Sequence, residues 1–129
     1  MIKLLGGGVG LGNASGSLLS RSKSISIEDP TNSENIILMQ TAGSERILKI
    51  ISVLKGSGPS VTFSIRHGNN VNAIGTEIKA GGFTTTSTTT GDEFTSFNSA
   101  VIPAGQFIWL TTSAVTGTVE LLNVTALFN

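Results

Sequence analysis

The sequence predicts an all-β fold: a single antiparallel β-sandwich or jelly-roll-like domain that follows an N-terminal arm rich in Gly, Ser and Leu. Two observations lead to this prediction. Short apolar or alternating runs are separated by turn residues roughly every 8–15 positions, and no segment has a convincing helical periodicity. The length of 129 residues is that of one domain with a real core.

The first 24 residues form the predicted arm. They contain six glycines between Gly6 and Gly16 and five serines between Ser15 and Ser24, so ordering them costs much backbone entropy and buries few side chains. Five leucines also lie in this segment, which a simple linker does not need: Leu4, Leu5, Leu11, Leu18 and Leu19. We predict a flexible arm that docks these leucines onto a neighbouring subunit; the alternative is a mobile tail with incidental leucines.

Residues 25–129 form the predicted β-sandwich domain. Its first strand is the alternating run Ser24–Ile27, which stops at the turn residues Glu28–Pro30. Proline there removes a hydrogen-bond donor from the sheet. The second strand is the apolar run within Asn35–Thr41.

The middle of the chain contains two further predicted strands. Arg46–Leu54 also fits helical spacing, but its β-branched residues favour a strand. The turn residues Gly56–Pro59 are predicted to end that strand abruptly. The next strand has the clearest alternation in the chain, and its apolar parity is assigned to the core: Val61, Phe63 and Ile65.

A weaker pattern follows. His67–Ile74 is rich in Gly and Asn and is predicted to be a loop, after which Thr76–Ala80 resumes a short strand. The threonine-rich run Thr84–Thr90 has high β-propensity but low complexity. It is predicted to form either an edge strand or a long mobile hairpin tip.

The last third contains a turn, a buried strand and a closing strand. Ile102–Gly105 is a turn that leads into Phe107–Leu110, four apolar residues that predict a strand buried on both faces. Thr116–Gly117 marks the next predicted reversal. The parity of apolar residues then switches within Thr118–Phe128, which predicts a bulge near Leu121–Leu122. The core residues assigned to these strands are Phe107, Trp109, Val124 and Phe128.

Charge and composition exclude several functional classes. Eight Lys and Arg balance eight Asp and Glu, so no basic stripe is available to bind nucleic acid. We predict no membrane partner either, because no apolar run approaches the ~18 residues that a spanning helix needs. The polar surface comes mainly from 16 Ser and 16 Thr, which predicts a surface with few charges to desolvate when another protein binds.

No catalytic constellation is evident in the sequence. His67 is the one histidine, and its position beside a Gly/Asn loop predicts a solvated side chain. The pairs Glu28-Asp29 and Asp92-Glu93 are interpreted as turn-flanking charges, because adjacent strand residues face opposite ways. Gly10-Leu11-Gly12 lacks the third glycine of a dinucleotide-binding loop. We therefore predict a non-enzymatic protein without cofactor or metal.

Three segments of the chain resemble strands of small β-sandwich virion proteins of tailed bacteriophages. They are Ser60–Ile65, Ala100–Leu110 with its Ile-Pro-Ala-Gly turn, and Gly117–Thr125. The likeness extends over residues ~45–128 and leaves the arm outside it. In that family such segments form a strand, a turn into a buried strand, and a closing strand.

The resemblance implies a structural role in a virion. It implies a head decoration, or cement, protein that assembles as a homotrimer, contacts the major capsid protein or another virion protein, and stabilises capsomer contacts. Its expected location is the virion, assembled in the host cytoplasm. The alternative is a tail, fibre or adhesion module with a carbohydrate-binding β-sandwich, for which an exposed Trp109 would be the expected stacking residue.

Overall fold

The computed structural model describes residues 20–129, and this part of the chain forms one antiparallel sheet of eight strands. The all-β, antiparallel prediction is confirmed, and the sandwich or jelly-roll arrangement stays a prediction. The strands are β1 (Arg21–Glu28), β2 (Asn35–Gln40), β3 (Glu45–Gly68), β4 (Thr76–Glu77), β5 (Phe83–Thr85), β6 (Asp92–Phe94), β7 (Val101–Ile102) and β8 (Phe107–Phe128).

Two long strands, β3 and β8, form the centre of the sheet and pair along almost their entire length. β1 and β2 flank β8, and the four short strands β4 to β7 flank β3. The prediction that Gly56–Pro59 ends a strand is wrong, as is the predicted reversal at Thr116–Gly117. Both segments continue as strand because they lie opposite each other, Ser57 pairing with Thr118 and Ser60 with Thr116.

The shared position of these two turn-like segments is a bend in both long strands. Gly117 has a positive φ of 73°, and a Cβ there would lie 2.0 Å from the carbonyl oxygen of Gly58. Only glycine permits such a close approach of the two backbones. β3 and β8 therefore bend together and remain paired.

The bend folds the sheet over its own core. Phe94 pairs with Ile50, and Phe83 pairs with Phe63. A straight strand would separate positions 50 and 63 by ~43 Å, yet the ring centroids of Phe83 and Phe94 are 5.0 Å apart. The two halves of the sheet therefore meet across one hydrophobic cluster.

We call these parts the β1 half and the β2 half. The β1 half contains β1, β6, β7, residues 45–55 of β3 and residues 121–128 of β8. The β2 half contains β2, β4, β5, residues 60–68 of β3 and residues 107–116 of β8.

Two bulges keep one face of β8 directed at the core. Lys55 pairs with Leu121 and Gly56 with Val119, so Glu120 is an extra residue, which confirms the bulge predicted near Leu121–Leu122. Ser113 is extra in the same way. Each extra residue shifts the parity of the side chains by one. Six of the seven residues assigned to the core are buried: Val61, Phe63, Ile65, Trp109, Val124 and Phe128.

The first strand begins earlier than predicted. Residues 21–24 belong to β1, with Arg21 opposite Phe128, so the arm boundary at residue 24 is wrong. Residues 21–24 extend the strand because they pair with β8, a long strand that is already part of the sheet. The five leucines assigned to the arm lie outside the described residues.

Candidate interaction surfaces

Trp109 is buried, but it does not lie in the core where the sequence placed it. Its neighbours Ile108 and Leu110 belong to the continuous core cluster, so the intervening side chain projects from the opposite face of β8. Phe107 shares that outward parity and is only half-buried, which corrects its assignment to the core. The predicted burial of this strand on both faces is confirmed for Ile108, Trp109 and Leu110.

The loop between β3 and β4 covers the indole of Trp109. Gly75 lies so close that an added Cβ would be 2.6 Å from the Cη2 atom of Trp109 and 2.8 Å from the carbonyl oxygen of His67. Its φ of +72° also requires glycine. The Arg66 guanidinium donates to the carbonyl oxygen of Ile74 at 3.4 Å and thereby ties the loop to the sheet.

Two exposed isoleucines flank this covered tryptophan. Ile37 pairs with Trp109 from β2 and is 52% exposed, while Ile74 precedes Gly75 in the loop and is 78% exposed. We call Ile37 and Ile74, with Trp109 between them, the isoleucine patch. Of the described large hydrophobic residues, only Val101 on β7 is also exposed. Neighbouring exposed aliphatic side chains are typical of a contact surface.

The outer face of the β1 half has a different character. The side-chain amide of Asn123 donates to the hydroxyls of Ser24 at 3.1 Å and Ser26 at 2.9 Å, and to the carbonyl of Ile25 at 3.1 Å. The Thr125 hydroxyl donates to Ser24 at 3.1 Å. These groups form an uncharged ladder whose hydrogen bonds are already made within the sheet.

His67 is buried, and the prediction that it is solvated is wrong. It continues the inward parity of Val61, Phe63 and Ile65, a signal that the sequence did contain. Its Nδ1 donates to the Gln106 side-chain oxygen at 2.6 Å, and the Ser99 hydroxyl donates to Nε2 at 3.4 Å.

This trio has the order of a nucleophile, a base and an orienting group. The orienting group, Gln106, is neutral, so it supplies no negative charge to stabilise an imidazolium. The interaction instead joins the end of β3 to the segment that precedes β8. We interpret His67 as a structural residue.

Asp92 organises the threonine-rich segment. Its Oδ2 accepts hydrogen bonds from the Thr85 hydroxyl at 2.6 Å and from the backbone amides of Thr86 and Ser87 at 3.0 and 3.1 Å. The Thr85 hydrogen bond, and then the two amides, lower the pKa of Asp92. Its interpretation as a simple turn-flanking charge is therefore wrong, whereas Glu93 is exposed and pairs with Lys49.

The edge-strand alternative for Thr84–Thr90 is confirmed only for its first two residues. Thr84 and Thr85 are in the edge strand β5, opposite Thr62 and Val61. The remainder forms the turn that Asp92 caps. The backbone amide of Leu54 donates to the carbonyl of Ser87, so this turn contacts the centre of β3.

Acidic residues also surround a shallow, open hollow beside the Glu120 bulge. Glu28, Asp29 and Glu120 line this hollow together with Lys55 and Leu121. Residues 20–129 contain no group of three or more His, Asp or Glu side chains arranged to hold a metal ion. Along this stretch, no helix has the length and hydropathy needed to traverse a bilayer.

The start of β1 is fixed by an ion pair. The Arg21 guanidinium donates to the carboxylate of Glu45, whose side chain is only 3% exposed. Glu45 pairs with Ile102 at the same end of the sheet. This ion pair holds the first residue of β1 against the first residue of β3.

No protein-family model matches this chain, and no curated protein matches it. Its function must therefore be inferred from its own surfaces.

Proposed function

We propose that the chain is a non-enzymatic capsid decoration protein of a tailed bacteriophage that binds the head surface as a homotrimer. The main supporting observation is the isoleucine patch, in which two aliphatic side chains are 52% and 78% exposed. Burial of such a patch by another protein is favourable because it removes apolar surface from water. The all-β fold and the resemblance of residues ~45–128 to small β-sandwich virion proteins agree with this role.

The low content of charged residues also supports assembly on a protein partner. The whole chain has eight Lys and Arg and eight Asp and Glu, so a partner displaces few bound ions. Charged groups near the patch are paired: Arg66 contacts Glu77 at 3.4 Å. A partner that covers this surface therefore buries no unpaired charge.

The alternative role, a carbohydrate-binding tail or adhesion module, has less support. Stacking on a sugar requires an exposed aromatic ring, and Trp109 is 2% exposed beneath its loop. The trio of buried His67 with the half-buried Gln106 and Ser99 likewise gives little support to an enzyme.

Size-exclusion chromatography with light scattering, followed by incubation with phage heads that lack the protein, tests the proposal. We expect a trimer that co-elutes with the heads. A strict monomer that ignores both heads and isolated major capsid protein would overturn it. Binding to glycan arrays, with quenching of Trp109 fluorescence, would instead favour the adhesion role.

A further inference from the structure

We infer that the isoleucine patch of one copy receives the leucine-bearing N-terminal segment, residues 1–19, of a second copy. This inference rests on the proposed function, because it names the contact through which the proposed trimer assembles. The interaction is apolar, between leucines of the segment and Ile37 and Ile74 of the patch.

The patch has the features of a docking surface. Ile37 is held on β2 next to the buried indole of Trp109, and Ile74 stands on a loop that Gly75 seats directly on that ring. Arg66 ties the loop to β3, so both isoleucines are presented on a rigid base. A rigid apolar surface loses little conformational freedom when a partner covers it.

The length and position of the N-terminal segment make it a fitting occupant. Nineteen residues precede Ser20, a length that spans up to ~63 Å when extended. Leu4, Leu5 and Leu11 lie far enough from Ser20 to reach a neighbouring molecule. The segment has one charged side chain, Lys3, so few charges oppose its packing on an apolar patch.

The proposed trimer requires that the segment come from a second copy, because a contact within one chain joins no subunits. The segment joins β1, whose Ile27 packs into the core from the β1 half. Trp109 projects away from that core on the β2 half. The origin of the segment and the patch are therefore different surfaces of the molecule, so a contact between the segment of one copy and the patch of another is head-to-tail. A head-to-tail contact that closes produces a ring such as a trimer.

Disulfide trapping between copies tests this contact directly, because the chain has no cysteine. Two single variants, Leu11→Cys and Ile74→Cys, carry tags of different mass and are mixed under mild oxidation. We expect the mixed disulfide to form at least tenfold more than in a control mixture of Leu11→Cys with Ser26→Cys, an exposed position on the β1 half. Equal yields in the two mixtures would overturn the inference.

A second experiment measures assembly in the full-length chain. The double variant Ile37→Ser/Ile74→Ser and the triple variant Leu4→Ser/Leu5→Ser/Leu11→Ser should each raise the concentration for half-maximal trimer formation at least tenfold. Val101→Ser, the matched control at the third exposed aliphatic, should change it less than twofold. Circular dichroism confirms that each variant is folded.

The outcomes separate the inference from the proposed function. Variants that assemble like the wild type would overturn the inference, and continued binding to heads would leave the function intact. Loss of assembly in the leucine variant alone would place the segment on another surface and also overturn the inference. A wild-type chain that neither self-associates nor binds heads would overturn both.

Discussion

The two halves of the sheet share one core but present opposite outer faces. On the β1 half, Asn123 and Thr125 complete their hydrogen bonds with serines of β1. On the β2 half, a glycine-bounded loop covers Trp109 and leaves Ile37 and Ile74 in solvent. Polar groups on the β1 half are therefore satisfied within the sheet, whereas the β2 half leaves aliphatic side chains exposed.

The strongest test of how the halves are joined is Phe83→Ala. Phe83 is 1% exposed and contacts Phe63 at 5.3 Å and Phe94 at 5.0 Å between ring centroids. Its removal leaves a cavity between the halves, so we expect the free energy of unfolding to fall by about 3–5 kcal/mol in urea denaturation. Phe107→Ala, at a half-buried outward position, should cost less than half as much. Equal losses would show that Phe83 does not link the halves.

The covered tryptophan is tested by Gly75→Ala. The positive φ and the clash with Trp109 should together lower the free energy of unfolding by about 2–4 kcal/mol. Trp109 is the one tryptophan and the chain has no tyrosine, so its fluorescence should shift to the red as the loop lifts. Gly81→Ala is the matched control, since φ is +82° but nothing lies within 4 Å of its Cβ. It should cost about 1 kcal/mol without a spectral shift; identical spectra for both variants would contradict the account.

Local pattern was sufficient to predict much of the fold. Val61, Phe63 and Ile65 alternate strictly, and one buried face permits a single register, so their burial followed from sequence. The bend did not. Gly56–Pro59 and Thr116–Gly117 each have turn composition, and only their pairing across the sheet makes them a bend instead of two hairpins. The residues around each segment carry no signal of this long-range pairing.

The candidate surface was only partly predictable. Four consecutive apolar residues correctly indicated burial on both faces of the strand containing Trp109. The covering element is a Gly/Asn loop, whose composition gives no sign that it packs on an indole. The burial of His67 could also have been predicted, because the alternation that places Ile65 in the core extends to it.

The threonine-rich turn between β5 and β6 gives a pH-dependent test. Its cap, Asp92, has a lowered pKa in the folded chain, so its contribution to stability is present above the unfolded pKa of about 3.9 and is lost as the pH falls through the folded value. Asp92→Asn should reduce the free energy of unfolding at neutral pH by on the order of 1 kcal/mol. It should also flatten the decline below about pH 4.

Denaturation series from pH 3 to 7 measure this effect. Glu93→Gln is the control, because it removes only the exposed pair with Lys49, and such pairs contribute about 0–1 kcal/mol. Parallel pH profiles for the wild type and Asp92→Asn would contradict the assigned cap.

The smallest expected effect concerns the polar face. Asn123→Ala removes donors to Ser24, Ser26 and the Ile25 carbonyl, yet water replaces them because the site is open. We expect a loss of about 0.5–1 kcal/mol in thermal unfolding and no change in assembly. A large assembly defect would show that the β1 half, and not the isoleucine patch, faces the partner.

Cryo-electron microscopy of phage heads incubated with the full chain is the decisive test of the proposed head-binding role. We expect threefold density on the outer head surface where capsomers meet. We also expect the β2 half, with Ile37 and Ile74, to lie at the contact between copies. Heads that carry no added density at saturating protein, or single copies with the isoleucine patch in solvent, would contradict it.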